Sequence, residues 1–158
     1  MKKGMIATIS TVLGVAAGAV VVSKAASETT SKTKQMSDKH LALYLMMNRW
    51  VEIKQEGKSL VDFFIKNNYR TIAVYGMSYT GERLLNELKD SNITVKYGID
   101  QRADEIYTGI NLITMDDEFP EVDAVVVTPI FFFDEIRNKV SNKIDCPIIS
   151  LEDILYEL

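Results

Sequence analysis

Large apolar residues recur along this chain in two alternating rhythms, and the alternation indicates the fold class. From Lys39 to Gln55, Leu41, Leu45 and Met46, then Trp50, Val51 and Ile53, return at helical spacing, with Ser37 or Asp38 placed to cap the start. Gly57 ends that helix and Ser59 can cap the next, in which Leu60, Val61, Phe63, Phe64 and Ile65 make a short amphipathic segment stopping at Asn67-Asn68. The rhythm then becomes that of strands. Thr71 to Tyr75 is β-rich and bounded by Gly76, and further strands are expected at Ile93 to Ile99, Asn111 to Ile113, Ala124 to Thr128 and Pro147 to Ile149. Helices fill the intervals: one from Thr80 carrying Leu84, Leu85 and Leu88, one near Phe132 to Val140, and one from Leu151 to Leu158. Strands that alternate with helices and are apolar on both faces predict an α/β fold, a parallel sheet covered on both sides.

Ahead of this pattern, Gly4 to Ser23 runs for twenty residues without a charge, about 30 Å of helix and so the thickness of a bilayer core. A transmembrane anchor is one reading. A cleavable signal peptide is the other, with Lys2 and Lys3 as its basic start and Ala25-Ala26-Ser27 as a cleavage region; the run exceeds the usual length of such an apolar segment, which favours the anchor. Lys24, Lys32, Lys34 and Lys39 follow the run while Lys2 and Lys3 precede it, which places the C-terminal domain on the cytoplasmic side of the inner membrane in a single-pass arrangement. Gly14 and Gly18 form a GxxxG, a spacing that composition alone explains in so small-residue-rich a run. The next stretch, over 27–38, is polar and lacks bulky apolar groups other than Met36, the composition of a flexible linker.

The chain has 158 residues and a net charge of −4, and that small value conceals a division. Residues 1–54 hold eight Lys/Arg against three Asp/Glu, whereas residues 55–158 hold ten against nineteen. The C-terminal part is therefore not expected to bind nucleic acid through bulk charge. Its length suits one domain and a tail, and the single cysteine, Cys146, allows no internal disulfide.

The segment richest in chemical meaning is Tyr75-Gly76-Met77-Ser78-Tyr79-Thr80-Gly81, directly after the first strand and before a helix. It has the form of a GxGxxG with Ser78 at the middle glycine. In that motif the first glycine makes the turn, the second admits a pyrophosphate and the third lets helix and strand approach. Gly76 and Gly81 suit the first and third tasks; Ser78 puts a side chain in the phosphate's place, although its hydroxyl can donate to one. Asp100 closes the second strand, where an acidic residue binds a ribose diol in such folds, or serves simply as a loop residue. Thr128-Pro129 follows the buried strand at the same sheet edge, either beside a ligand or merely ending the strand.

On IAVYGMSYTGERLLNEL, VKYGID, VDAVVVTP and ISLEDIL, the chain from Thr71 onward resembles the Rossmann-like domain that follows membrane spans in bacterial polysaccharide-biosynthesis sugar-nucleotide dehydratases and epimerases, and the similar N-terminal domain of sugar acetyltransferases. The residue pattern divides the chain into an anchor over 1–26, a linker over 27–38 and a helical lead-in over 39–69, and the resemblance makes 70–158 a Rossmann-like nucleotide-binding domain. It implies NAD(P) or a nucleotide-sugar as ligand, held by Gly76, Met77, Ser78, Thr80 and Gly81 at the phosphate turn, Asp100 at the ribose and Thr128 beside the ligand. Its partners would be the membrane and polysaccharide-assembly proteins. Ser78 departs from the family glycine.

Catalytic groups are harder to find. Short-chain dehydrogenase chemistry needs a tyrosine with lysine four positions on, and none of the seven tyrosines has one. The one histidine, His40, lies on the membrane-side helix, so a nucleophilic triad has no base at the expected sheet edge. Cys146 has no second cysteine or nearby histidine for zinc, and Asp116-Asp117-Glu118 with Glu121 reads as a solvated loop. Phe131-Phe132-Phe133 cannot all face one side of a helix, so at least one is expected at a ligand edge or partner surface. These observations support a tethered binding module without a complete catalytic site. The alternatives are the cofactor-binding half of a split sugar-nucleotide-modifying enzyme and a ligand-free scaffold at the membrane.

Overall fold

The computed structural model describes residues 30–158. Two compact units divide at Leu41 and Ala42. In the first, the described residues 30–41 are helical and exposed, His40 among them. The uncharged run over 4–23, and with it the choice between anchor and signal peptide, lies outside the described residues. Among those described, no helix is long and apolar enough to cross a membrane. The described part of helix α1 runs over residues 30–55, so residues 30–38 are helical where their composition predicts a flexible linker. Once a helix is nucleated, each further residue costs little, and Lys32, Lys34, Gln35 and Met36 are all good helix formers.

Gly57, at φ +75°, ends α1. Lys58 N–H donates to Ile53 O (3.0 Å) and Gly57 N–H to Lys54 O (3.1 Å), the paired bonds that satisfy the last carbonyls of a helix. Ser59 then caps α2 (Leu60–Lys66) through a capping box, accepting from Val61 N–H while Asp62 accepts from Ser59 N–H. The remaining elements are β1 (Thr71–Tyr75), α3 (Tyr79–Leu88), β2 (Thr94–Ile99), β3 (Leu112–Ile113), β4 (Ala124–Val127), a 3-10 turn over Ile130–Phe132, α4 (Phe133–Val140), β5 (Ile148–Ser150) and α5 (Leu151–Glu157), with loops and no helix between β2, β3 and β4.

All strand pairs are parallel, and the order across the sheet is β3-β2-β1-β4-β5. This is a Rossmann-like topology. Alternate residues of β1 feed opposite layers: Ile72 and Val74 join Met46, Trp50, Ile53, Leu60, Phe64, Leu84, Leu151 and Leu155, while Ala73 and Tyr75 join Tyr97, Ile99, Val127, Ile136 and Val140. One face therefore carries the described C-terminal part of α1 with α2, α3 and α5, and the other carries α4. Burying a Leu, Ile or Phe side chain contributes roughly 1.5 to 3 kcal/mol, so this double-sided core is the main stabilising term. Strand order reverses between β1 and β4, and open α/β sheets bind their ligands beyond the carboxyl ends of the strands at such a switch point.

Candidate functional site

At that edge the chain turns sharply after β1. Gly76 takes φ +90°, and a Cβ there would stand 2.7 Å from the Pro129 ring and 2.8 Å from Thr128 Oγ1. Gly81, in the first turn of α3, has no room either, because its Cβ would strike the Gly76 carbonyl oxygen. Both glycines are thus required by close approach of turn, helix and neighbouring strand, the first and third roles of the motif.

Thr128 is 3% exposed. Its hydroxyl donates to Gly76 O at 2.7 Å and lies 3.2 Å from Tyr75 O, and its N–H donates to Tyr75 O at 3.0 Å. This residue clamps the turn from below. Met77 is buried as well, its side chain lying over Gly98. Thr80 is nearly covered, whereas Ser78 is exposed at the N-cap of α3 with its hydroxyl capping nothing.

Asp100 spends both carboxylate oxygens on the backbone: Met77 N–H donates to Oδ2 (2.9 Å) and Arg102 N–H to Oδ1 (3.0 Å). The acidic group expected at a ribose is therefore also a brace between the β2 loop and the glycine turn. Each oxygen keeps a further lone pair for a ligand hydroxyl. Of the residues singled out in the sequence, Gly76 and Asp100 line one open cleft of about 410 Å³, while Met77, Ser78, Thr80, Gly81 and Thr128 do not.

The rest of that cleft comes from Tyr75 and Pro129, which adjoin the glycine turn and Thr128, and from places the motif does not announce: Gln101, Arg102, Phe132, Glu135, Ile136 and Lys139. The Phe triplet is the one sequence signal that touches it. Phe132 is 38% exposed and meets Phe131 edge to face, with ring centroids 5.4 Å apart. Arg102 is exposed and forms no ion pair among the described residues. Lys139 Nζ donates to Glu135 Oε1 at 2.6 Å, and this bond holds the ammonium pKa above its usual value.

Tyr75 and Lys139 are thus brought together by the fold, although no tyrosine has lysine four positions on. Burial pushes the Tyr75 phenol up, and Asp100 and Glu135 add to that, against a smaller pull from Lys139. A phenol raised in this way is a hydrogen-bond donor and not an acidified proton source.

Elsewhere the acidic loop is internally engaged, since Thr114 N–H and Oγ1 donate to Asp117 Oδ2 at 2.7 and 2.8 Å and lower the pKa of that carboxyl. Cys146 is half-buried, and burial raises its thiol pKa. Among the described residues no group of His, Cys, Asp and Glu is arranged to hold a metal. No protein-family model, curated protein or solved structure matches the chain.

Proposed function

We propose that this chain is a membrane-tethered, Rossmann-like module that holds a nucleotide or nucleotide-sugar at the cytoplasmic face of the inner membrane, in the service of bacterial polysaccharide biosynthesis, without a complete catalytic site of its own. The observation that carries the reading is the open cleft at the β1/β4 switch point, with Gly76 on its floor and Asp100, Arg102, Lys139 and Phe132 around it. In this reading Asp100 accepts from a ribose diol, Phe132 offers a face to the base, and Arg102 holds phosphate. The Met77 amide is already taken by a carboxylate, so negative charge stands at the turn where a dinucleotide would put its pyrophosphate. That charge acts alike on the diphosphate of a nucleotide-sugar and of NAD(P), so it does not choose between them. The anchor over 4–23 and the pathway rest on the uncharged run and the family resemblance.

Titration of the full-length chain in mild detergent with UDP-sugars, NAD and coenzyme A by calorimetry tests this. Heat is expected with a nucleotide-sugar, and Arg102→Ala is expected to weaken that binding roughly tenfold or more, the loss typical of one charge-assisted bond. The Asp100–Met77 closure favours a second reading, a scaffold that has given up its ligand. Absence of heat with every compound, at concentrations that detect millimolar binding, decides for it.

A further inference from the structure

Tyr75 closes β1 on the α4 side of the sheet, in the layer of Tyr97, Ile136 and Val140, and is only 9% exposed. Polar atoms in so buried a side chain are almost always hydrogen-bonded. The Tyr75 hydroxyl has no hydrogen-bond partner among the described residues. None of their unpartnered side-chain oxygens is sealed from solvent, so the hydroxyl is the part of this side chain that opens into the cleft. A buried ring that ends in an unused donor points to an acceptor from outside the chain.

The groups around it indicate the kind of acceptor. Asp100 keeps a lone pair on each oxygen, and Glu135 gives Oε1 to Lys139 while Oε2 has no partner among the described residues. Both carboxylates, with Lys139, act on the ionisation of the phenol, so the donor and these acceptors stand close together. A phosphate or carboxylate only accepts and would face two carboxylates here, whereas a hydroxyl accepts and donates at once. Asp100 and Glu135 against Arg102 and Lys139 cancel in charge, and Lys139 is already paired, so no field draws an anion to this end of the cleft. We propose that the Tyr75 hydroxyl is a specificity-determining contact for a sugar ring, donating to one ring hydroxyl while Asp100 or Glu135 accepts from that hydroxyl or its neighbour. A nucleotide-sugar carries such hydroxyls on its ribose and on its hexose. The inference rests on the nucleotide reading above for the remainder of the ligand, and the polyol contact stands without it.

Tyr75→Phe removes the hydroxyl and keeps the ring. In full-length protein in mild detergent its urea midpoint should equal or exceed that of the unsubstituted chain, because the hydroxyl bonds nothing within the protein. A lower midpoint reveals an internal partner and overturns the proposal. Calorimetry then compares UDP-glucose, UDP and 2′,3′-dideoxy-UDP, and saturation-transfer NMR follows methyl glucoside. Tyr75→Phe should weaken UDP-glucose roughly three- to tenfold, the loss of one neutral hydrogen bond. An unchanged affinity for UDP assigns the contact to the hexose, and an equal loss with UDP but none with dideoxy-UDP assigns it to the ribose. Equal loss with all three puts the hydroxyl on phosphate or base and overturns the proposal, as does binding of UDP-glucose that the substitution leaves unchanged. Where no nucleotide binds but methyl glucoside does, and Tyr75→Phe removes its signal, the nucleotide reading falls alone. A methyl glucoside signal that is absent as well, or indifferent to the substitution, refutes both.

Discussion

A methyl group added at Gly81 would run into the Gly76 carbonyl oxygen, which is backbone and cannot swing aside. Gly57 offers the contrast. It has φ +75° with nothing within 4 Å of the added Cβ, so alanine there meets strain in the backbone torsion alone. Gly81→Ala is expected to cost about 2 to 4 kcal/mol through overpacking, against about 1 kcal/mol for Gly57→Ala from the left-handed conformation. Equilibrium urea unfolding followed by the fluorescence of Trp50 measures both, and equal midpoints for the two variants would show that the turn is looser than its contacts indicate. Ser78 is exposed, and no such packing cost attaches to it.

Three helices meet at one carboxylate. Glu87 of α3 accepts from Trp50 Nε1 (2.7 Å) and Lys54 Nζ (3.0 Å) of α1, and from Ser59 Oγ (3.1 Å) and Leu60 N–H (2.9 Å) where α2 begins. Burial by itself raises the pKa of this carboxyl, but the bonds from Leu60, Trp50 and Lys54 outweigh it and hold the value below the ordinary one. A carboxylate whose pKa is depressed on folding contributes stability that is complete above its unfolded value, about 4.3, and is lost as pH falls through the folded value. Glu87→Gln should therefore lower stability by about 3 kcal/mol at pH 7. It should also flatten the fall in stability below roughly pH 4.5, since the variant has no proton to take up there. Urea unfolding across pH 3 to 7 checks both, and an unchanged acid limb in the variant would assign the acid sensitivity to other carboxylates. Asp123 is one candidate: Thr71 N–H, Arg70 N–H and Thr71 Oγ1 donate to it and lower its pKa.

The molecule as a whole divides by charge, basic over 1–54 and acidic over 55–158. Under the proposed tether, the acidic part would be repelled by nucleic acid and by an anionic membrane surface, and the lysines after the uncharged run would set it on the cytoplasmic side. Full-length protein is expected to fractionate with inner membrane, to keep its N-terminal residues by intact mass, and to resist external protease until the cell is opened. Recovery of a chain starting near Ser27 outside the cytoplasm would replace the anchor with a signal peptide and remove access to cytosolic nucleotides.

Local chemistry was enough for the elements. Gly57, Ser59 and the β-rich runs TIAVY and AVVVT mark starts and stops within a few residues of themselves, and runs apolar on both faces occur where a parallel sheet is covered twice. The linker over 27–38 shows the limit of composition, because its described residues, 30–38, are polar and yet helical, and Lys, Gln and Met at these positions suit a helix as well as a tether. The site was legible only in outline. Gly76 and Asp100 stand at the cleft, but that Asp100 braces the Met77 amide, that Thr128 clamps the turn, and that Arg102, Phe132 and Lys139 face the same space depend on loops distant in sequence converging at one sheet edge. Tyr44 belongs with them: periodicity places it on an apolar helix, and only the positions of the other helices decide which of its faces the core covers. A hydrophobic period is a property of neighbours along the chain, whereas a hydrogen-bonded brace or an uncovered face is a property of what the sheet order brings alongside.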